Sequence, residues 1–478
     1  MSKPNVILCQ CDQLRAFEVG CYGNTVIRTP HIDRLAGRGA RFDLAVTNNP
    51  VCTPARSCLL TGQYSRTCAG TVDNVFLDPP AQERSRLKDT TIAEVFKQAG
   101  YDTALIGKWH VWGHPNLVGF DDTVYPCTPH RHYGQRYFEN LDAEGFVVDQ
   151  FGPDFEISRV RQYLRAHAGD AAKPFFLHYN ISPPHPPIGP GNAPDWYADM
   201  YRPQDVPLRD NVFDDGTMAH DEKWFKIYTI WDYFTRWLEH PTDRLPPDTT
   251  LRHLIAWYYG MATMVDDMVG RMMASLDELG MADNTLVVFN SDHGDNLGSH
   301  QLFNKNCLYE ESIRVPLMFH FPGAIQSRTC AAQIARTIDI MPTVLDLCGL
   351  PVPSSVQGRS LKAILDGDAE TLEDNVAFIE TDPTFFGRPC IGIRTPTHLY
   401  AMKLTKDWRR IEDDRFWFFD LRDDPLQVKN LNESGQQQDV AAELSERLQL
   451  WNRETPWLEV AMPRRKKRTG EFWLSDDE

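Results

Sequence analysis

Short apolar runs, each the length of a buried strand, alternate along this chain with segments of helical periodicity. The strand-like runs are Asn5–Asp12, Tyr101–Gly107, Pro174–Asn180, Thr285–Asn290 and Val315–His320. Apolar residues recur at helical spacing over Thr91–Ala99 and over Leu251–Leu279, which Gly280 ends. Strands that alternate with helices in this way predict an α/β fold, with a large and mainly parallel sheet sandwiched between helices.

A polar residue able to bind a ligand stands at the end of several of these runs or shortly after it. These residues are Asp12, Lys108, His185 and Asp292. In parallel sheets, ligands bind beyond the carboxyl ends of the strands. We therefore expect these residues, although far apart in the sequence, to meet in one cleft.

The pattern changes near residue 375, where short strands separated by turns replace the longer elements. The predicted strands are Val376–Glu380, Cys390–Arg394, His398–Leu404 and Phe416–Asp420, followed by a helix over Ala441–Trp451. We therefore place a main α/β domain at 1–375 and a small antiparallel-sheet subdomain with a tail at 376–478. Residues 190–250, rich in Pro, Asp, Trp and Tyr, predict a long insertion that serves as a lid or an oligomer contact.

The balance of charge limits the classes of partner. The chain has 49 Lys and Arg against 66 Asp and Glu, a formal net charge of −17. So acidic a surface argues against nucleic acid or an anionic membrane as the main partner. The basic run Arg464–Arg468 is interpreted as a solvated or subunit-bridging tail, and a homo-oligomer, dimer or tetramer, stays open.

The cellular setting is inferred from what the sequence lacks. The chain has no signal-like start and no apolar stretch of about 18 residues, so we expect a cytoplasmic protein with no membrane partner. Its 11 cysteines are odd in number and irregular in spacing. This pattern predicts reduced, mostly buried thiols rather than a disulfide framework.

The segment Val51–Gly62 reads Val-Cys-Thr-Pro-Ala-Arg-Ser-Cys-Leu-Leu-Thr-Gly and carries the strongest functional signal. Pro54 suits the first turn of a helix, and Gly62 suits its end. Cys52 would then stand at a helix N-terminus, where free N–H groups favour an anion, and Arg56 would follow one turn later. The segment therefore predicts an anion site around a cysteine.

This segment resembles the sulfatase signature, in which Cys-x-Pro-x-Arg is followed by Leu-x-Thr-Gly. Other motifs of the family follow in the expected order over almost the whole chain. They are Thr29–Leu35 with Gly39–Phe42, Gly107–His110, Ser182–Pro186, Ser291–Gly294, Lys305 before Tyr309–Ser312 and Arg314–Pro316, and Asp420–Pro425 with Asn430–Leu431. On these motifs the chain is identified as a member of the sulfatase family. The resemblance implies an alkaline-phosphatase-like α/β fold with a small C-terminal antiparallel sheet.

The resemblance implies that a formylglycine-generating maturase oxidises Cys52 to formylglycine and that the aldehyde hydrate is the nucleophile. A thiol attacks sulfate poorly and would leave a stable sulfur–sulfur link. A geminal diol can attack with one oxygen and then expel sulfate when the other is deprotonated.

The resemblance also implies one divalent metal ion, held by Asp12, Gln13, Asp292 and His293 and by Cys52 through its hydrate. Members of the family often have two acids where this chain has Asp12 and Gln13, which removes one negative charge. Oxygen ligands suit calcium, whereas a nitrogen ligand suits manganese or zinc. Calcium or manganese is therefore expected, and zinc is less favoured.

The remaining catalytic roles are implied by the same motifs. Arg56, Lys108 and Lys305 would bind the sulfate oxygens and offset charge in the transition state. His110 would steady the hydrate and take its proton in the second step. His185, together with Lys305, would protonate the leaving oxygen.

Two further polar positions stand outside these motifs. Asn74 resembles an oxyanion-contacting Asn of phosphonate-hydrolysing relatives, which implies a contact with substrate. His130–His132 lies in a Pro-rich loop and is interpreted as surface, with a place at the rim of the pocket as the alternative.

Two functions fit this set of residues. The resemblance implies an arylsulfatase-like sulfuric ester hydrolase that cleaves a small-molecule sulfate monoester. The alternative is a phosphonate monoester or phosphodiester hydrolase of the same superfamily, and weak activity of that kind is expected in either case. Those relatives have uncharged Tyr and Thr where this chain has Lys108 and His110, the sulfatase pattern. An inactive binding protein would have lost Cys52 or a metal ligand. Choline sulfate, sugar sulfates and aryl sulfates all stay open as substrates.

Overall fold

The computed structural model describes residues 3–70, 72, 74, 87–111, 113–126, 130, 132–142, 144–170, 173–188, 191–212, 250–381, 389–408, 410–458, 467–469 and 472–474. The strands are β1 (Asn5–Asp12), β2 (Ala40–Val46), β3 (Asp102–Gly107), β4 (Asp122–Pro126), β5 (Gln135–Glu139), β6 (Phe146–Val148), β7 (Phe175–Pro184), β8 (Thr285–Ser291), β9 (Leu317–His320), β10 (Arg328–Arg336), β11 (Ala377–Thr381), β12 (Cys390–Arg394), β13 (His398–Leu404), β14 (Ile411–Asp420), β15 (Lys467–Thr469) and β16 (Phe472–Leu474). The α-helices are α1 (Pro30–Arg38), α2 (Cys52–Thr61), α3 (Ser65–Cys68), α4 (Ile92–Gln98), α5 (Gly152–His167), α6 (Asp195–Ala198), α7 (Leu251–Glu278), α8 (Glu310–Ile313), α9 (Thr337–Leu347), α10 (Lys362–Asp366), α11 (Leu431–Ser434) and α12 (Gln438–Glu454). Most of the predicted insertion 190–250 and the side chains of the basic tail 464–468 lie outside the described residues.

Ten strands form the main sheet, in the order β10-β2-β9-β8-β1-β7-β3-β4-β5-β6. Its central strands β8, β1, β7, β3 and β4 run parallel, whereas β9, β5 and β6 run antiparallel to their neighbours. The predicted α/β fold with a mainly parallel sheet is therefore confirmed. The predicted run Val315–His320 contains the strand β9, which is antiparallel to both of its neighbours.

Side chains alternate across the central strands and so form two apolar cores. On one face of β1, Ile7, Cys9 and Cys11 pack with α1, α5 and α7. On the other face, Val6 and Leu8 pack with α4 and α9. Because helices cover both faces, the strands are apolar along most of their length. All cysteines among the described residues are free, as their spacing predicted.

The 28-residue helix α7 packs against the sheet and against α6. Gly260 permits a close approach of backbones, because a Cβ atom there would stand 2.0 Å from the carbonyl oxygen of Tyr197 in α6. The 191–212 segment is thereby fixed beside the sheet. Within the described parts of the chain, no helix combines the length and apolarity that a bilayer crossing requires.

The second sheet is antiparallel, in the order β11-β12-β13-β14, and α12 packs on it. It joins the main domain at Arg66 of α3, whose Nε lies 2.5 Å from Oε2 of Glu380 in β11. The guanidinium lies between the rings of Trp451 and Trp457, at 4.6 and 4.7 Å from their centroids. The small antiparallel sheet is thus confirmed, and the boundary at 375/376 stays a prediction.

A buried acid in α5 predicts a pH-dependent stability. Glu156 is 2% exposed, and its Oε1 accepts a hydrogen bond from the Tyr137 hydroxyl at 3.0 Å. Burial raises the pKa of Glu156 from 4.5 to about 8. Between these values the folded chain retains a proton that the unfolded chain has lost, so stability falls as the pH rises through this range.

The substitution Glu156→Gln removes this titration and keeps the acceptor for Tyr137. We expect the Tm of the variant, relative to wild type, to rise as the pH increases from about 5 to about 8, as measured by calorimetry. The exposed Glu370→Gln is the control and should show no such trend. Parallel Tm curves for Glu156→Gln and wild type would contradict the assignment.

Candidate active site

The strands β8, β1, β7 and β3 lie side by side and run parallel, so their carboxyl ends meet at one edge of the sheet. The residues at or just after these ends are, in that order, Asp292, Asp12, His185 and Lys108. The direction of β2 is the same, because β9 runs antiparallel to both β2 and β8. The chain leaves β2 at this edge and enters α2, whose first residue is Cys52. The predicted meeting of distant residues in one cleft is therefore found.

All ten residues of α2 are buried, and Gly62 ends the helix with a φ of 65°. At the other end, the backbone N–H of Thr53 donates to Oδ1 of Asn74 at 3.0 Å. Asn74 thus holds the helix start beside Cys52. Its implied contact with substrate stays a prediction.

Asp12, Cys52, Asp292 and His293, here called the quartet, enclose one point. Their ligand atoms all lie within 4.8 Å of one another, and all four residues are buried. Nδ1 of His293 lies 3.1 Å from the carbonyl oxygen of Gly294, a contact that requires the ring proton on Nδ1. Its Nε2 faces the centre, 3.5 Å from an oxygen of each aspartate. Two carboxylates, an imidazole nitrogen and a sulfur so arranged fit a divalent cation.

Gln13 follows Asp12 with a left-handed backbone, φ 65°. Its Oε1 accepts from Nζ of Lys305 at 2.6 Å, and its Nε2 donates to Asp295 at 2.5 Å and to Asn304 at 3.0 Å. The amide is therefore fixed between the quartet and the loop that carries Lys305. Its implied role as a metal ligand stays a prediction.

Arg56 projects from α2 towards the two carboxylates of the quartet. Its Nη2 lies 3.5 Å from Oδ2 of Asp12 and 3.0 Å from Oδ2 of Asp292, and its Nη1 donates to Asn180 at 2.9 Å. Burial acts to raise the pKa of Asp12, but nearby cations, Lys108 first among them, hold it below its usual value. Burial and the charge of Asp12 raise the pKa of Asp292. Arg56 thus offsets carboxylate charge here, and its implied contact with sulfate stays a prediction.

The Cys52 side chain lies within a group of basic residues. Nζ of Lys305 and Nε2 of His293 both stand 3.2 Å from Sγ, and Lys108 forms an ion pair with Asp12 nearby. Burial opposes ionisation of the thiol, but Lys108, Lys305 and His293 outweigh it and hold the pKa of Cys52 well below its ordinary value. Surroundings that stabilise a thiolate also stabilise an oxyanion at the same place.

Just after β3, Trp109 is buried and its neighbour His110 is half-buried. The backbone of His110 is left-handed, with φ 49°, a conformation that costs free energy in a non-glycine residue. Its carbonyl accepts from Oγ1 of Thr53 at 3.0 Å, which ties the turn to the start of α2. Burial, and then the charge of Lys108, lower the pKa of His110, so its imidazole is neutral and able to accept a proton.

His185 and Lys305 form a second pair on the other side of Cys52. Nδ1 of His185 lies 2.6 Å from the carbonyl oxygen of Pro186, which fixes the ring proton there. Nε2 is therefore an acceptor, and Nζ of Lys305 donates to it at 2.6 Å. Burial, and then the charge of Lys305, lower the pKa of His185 to about 3. Lys305 is thus the donor and His185 the acceptor of the hydrogen bond that joins the pair.

Two adjacent acids fix the loop that carries Lys305. Glu310 forms a buried ion pair with Arg394 of β12 at 3.0 Å, and Glu311 forms one with Arg209 at 3.0 Å. The loop is thereby tied to the C-terminal sheet and to the segment 191–212. The sequence motif contained both acids, but nothing in it indicated their partners.

The interpretation of His130–His132 as surface was wrong for His132, and Arg131 lies outside the described residues. His132 is 3% exposed, and its backbone N–H donates to Oδ1 of Asn192 at 3.2 Å. The ring of His130 stacks on that of His185, with centroids 3.6 Å apart and an interplanar angle of 7°. Because Asn192 lies far away in the sequence, the local pattern of the loop could not reveal this inward position.

Comparisons with known proteins agree with this geometry. The family described as Sulfatase matches residues 4–350, and N-sulphoglucosamine sulphohydrolase, C-terminal, matches residues 298–454. An ulvan-active sulfatase of Formosa agariphila is 32% identical over 448 residues, which cover 90% of this chain and 77% of that protein.

Solved structures share the fold over almost the whole chain. One, of a protein in complex with its substrate D-glucosamine-2-N,6-O-disulfate, has a TM-score of 0.76 and 26% identity, and the match covers 95% of this chain and 98% of that one. A phosphonate monoester hydrolase from Silicibacter pomeroyi has a TM-score of 0.70 and 24% identity, with 95% and 96% covered. The second likeness concerns the fold alone.

Proposed function

This chain belongs to the sulfatase family, and on that basis we propose that it hydrolyses sulfate monoesters with a formylglycine made from Cys52 and one divalent metal ion. The observation that carries the proposal is the position of Cys52. It lies at the start of a buried helix, where the quartet meets two lysines. This arrangement supports both a cation and a negatively charged nucleophile at one point.

The metal ion would be held by the quartet, with Gln13 beside it. Bound there, a divalent ion supplies positive charge that polarises a sulfate oxygen and lowers the pKa of a coordinated hydroxyl. A set dominated by carboxylates suits calcium or manganese. Arg56 contacts the carboxylates of Asp12 and Asp292 and helps to fix them. The carbonyl of Gly294 orients the imidazole of His293.

Formylglycine at position 52 supplies an aldehyde hydrate, which can release sulfate where a thiol would retain it. Lys108 and Lys305 stabilise negative charge at this position. His110 lies beside it with a lowered pKa and can take a proton from it. The proposal includes a formylglycine-generating maturase as partner. A cytoplasmic location and a homo-oligomer stay predictions.

The leaving oxygen needs a proton when the alcohol is a poor leaving group. We assign this step to the His185–Lys305 pair, in which the ammonium of Lys305 already donates to Nε2 of His185. A proton that Nε2 of His185 delivers would first pass to it from Lys305 through this hydrogen bond. The two groups thus act as one acid.

The substrates are proposed to be sulfated carbohydrates. Support comes from the ulvan-active relative and from the structural relative solved with D-glucosamine-2-N,6-O-disulfate. The proposal is tested by a screen of sugar sulfates, aryl sulfates and choline sulfate against phosphonate monoesters and phosphodiesters. A phosphonate ester hydrolysed with higher kcat/KM than any sulfate ester would favour the alternative function, to which the shared fold gives support.

Lys108 and His110 provide a sharper test of the two functions. A sulfuryl transition state is loose and places charge on the departing oxygen and the bridging region, so it gains from a fixed cation and a proton-transfer group. Replacement by the Tyr and Thr of phosphonate hydrolases, Lys108→Tyr with His110→Thr, should cost sulfate-ester activity about 10²-fold more than phosphonate-ester activity. Equal losses in kcat/KM on both substrates would show a general oxyanion clamp and would remove this argument for a sulfatase.

A further inference from the structure

His130 covers one face of the imidazole that the proposed mechanism uses on the leaving-group side. The two rings are almost parallel, 7° apart in angle and 3.6 Å in centroid distance. His185 is held within its own plane by two hydrogen bonds, from Nδ1 to the Pro186 carbonyl and from Lys305 to Nε2. Neither bond prevents the His185 ring from tilting out of that plane. The stacked ring of His130 opposes that tilt.

The stack is set by the backbone, through one buried amide. Nδ2 of Asn192 donates to the carbonyl oxygens of His130 at 3.3 Å and of Pro187 at 2.9 Å. Oδ1 of Asn192 accepts from the N–H of His132 at 3.2 Å. A single side chain, 1% exposed, therefore joins the loop of His130 to the loop that follows His185.

The two ring nitrogens of His130 make no short hydrogen bond among the described residues. Its Nε2 lies 3.5 Å from Nζ of Lys108, at the outer limit of a hydrogen bond. Its Nδ1 is buried and has no hydrogen-bond partner among the described residues. The close contact of this side chain is thus its ring face against His185.

We propose that His130 is a positioning residue, whose ring holds His185 at the angle from which the His185–Lys305 pair protonates the departing oxygen. This inference rests on the proposed function. In that step a bond would form from sulfur to a hydrate oxygen at residue 52, the bond from sulfur to the alcohol oxygen would break, and one proton would pass from the pair to the alcohol oxygen, while His130 would gain and lose nothing. Misalignment of the acid therefore costs most where the leaving oxygen is most basic.

The test is a series of aryl and alkyl sulfates that differ in the acidity of the alcohol. His130→Ala should lower kcat about 10- to 100-fold on esters with poor leaving groups and about twofold on 4-nitrophenyl sulfate, which needs little protonation. His130→Phe keeps a flat ring and should recover most of the loss. Asn192→Ala removes the hydrogen bonds that position His130. Like His130→Ala, it should make kcat depend more steeply on the acidity of the alcohol.

Tyr133→Phe is the matched control, because Tyr133 lies in the same loop and is 40% exposed. This variant should leave the dependence of kcat on the leaving group unchanged. Equal loss on all esters in His130→Ala, or equal effects of the Ala and Phe variants, would overturn the positioning role. If His130→Ala does not fold, His130→Leu and Asn192→Ala decide the question. Wild-type protein without sulfatase activity would instead overturn the proposed function itself.

Discussion

Cys52→Ala is expected to lower kcat/KM on every sulfate ester by about 10⁴-fold or more. The substitution removes the side chain from which the proposed nucleophile would be made, and the lysines proposed to bind sulfate cannot replace it as a nucleophile. The measurement uses protein produced with and without a formylglycine-generating maturase. Mass spectrometry of the peptide that contains residue 52 should show the thiol-to-aldehyde change, and kcat should scale with the converted fraction.

Cys58→Ala provides the control on the same helix. Cys58 is buried in the core between the main domain and the C-terminal sheet and has no contact with the quartet. This variant should convert normally at residue 52 and keep the wild-type kcat. The mechanism would be refuted if Cys52→Ala, or unconverted wild-type protein, turned over as fast as converted wild type.

Asp292→Asn is expected to lower both the bound metal and the turnover, with kcat/KM down by about 10³-fold. Asparagine keeps the shape of the side chain and one acceptor for the backbone N–H of Gln13, which lies 3.1 Å from Oδ1. It removes one of the two negative charges that face the proposed ion. Arg56 then outweighs the remaining carboxylate, which weakens cation binding further.

The metal content of Asp292→Asn is measured by elemental analysis and titration with calcium and manganese. Asp277→Asn, at an exposed position near the end of α7, is the control and should match wild type in both properties. Removal of metal from wild type with a chelator should reproduce the loss reversibly. Full turnover and full metal content in Asp292→Asn would remove the quartet as the metal site.

The sequence predicted the elements that are buried on both faces or alternate regularly. Thr285–Asn290 and Cys390–Arg394 were found within one residue of their predicted bounds. Ala40–Val46 was missed, because Arg41 and Asp43, which point to the face opposite Ala40 and Phe42, break up its apolar run. The local sequence pattern also could not predict that β9 is antiparallel, because the direction of a strand depends on how the preceding loop returns to the sheet.

The sequence also predicted where the site lies, because strand ends in a parallel sheet share one edge. It could not predict which atoms meet there. The contacts of Arg56 with two carboxylates, for example, were not among the expectations, and its contact with sulfate stays a prediction. His130 was placed at the surface, because its inward position depends on Asn192, 62 residues away.

The burial of Cys52 has a consequence for the order of events during protein synthesis. Lys305, which covers its sulfur, lies 253 residues further along the chain. At about 5–20 residues per second, the cysteine leaves the ribosome roughly 10–50 s before that lysine has been added. During this interval the segment around the thiol lacks its final neighbours and is open to a modifying enzyme. Once the last strand ends come together, the same thiol is buried. The time available for the oxidation that we propose for it would then be set by the rate of translation.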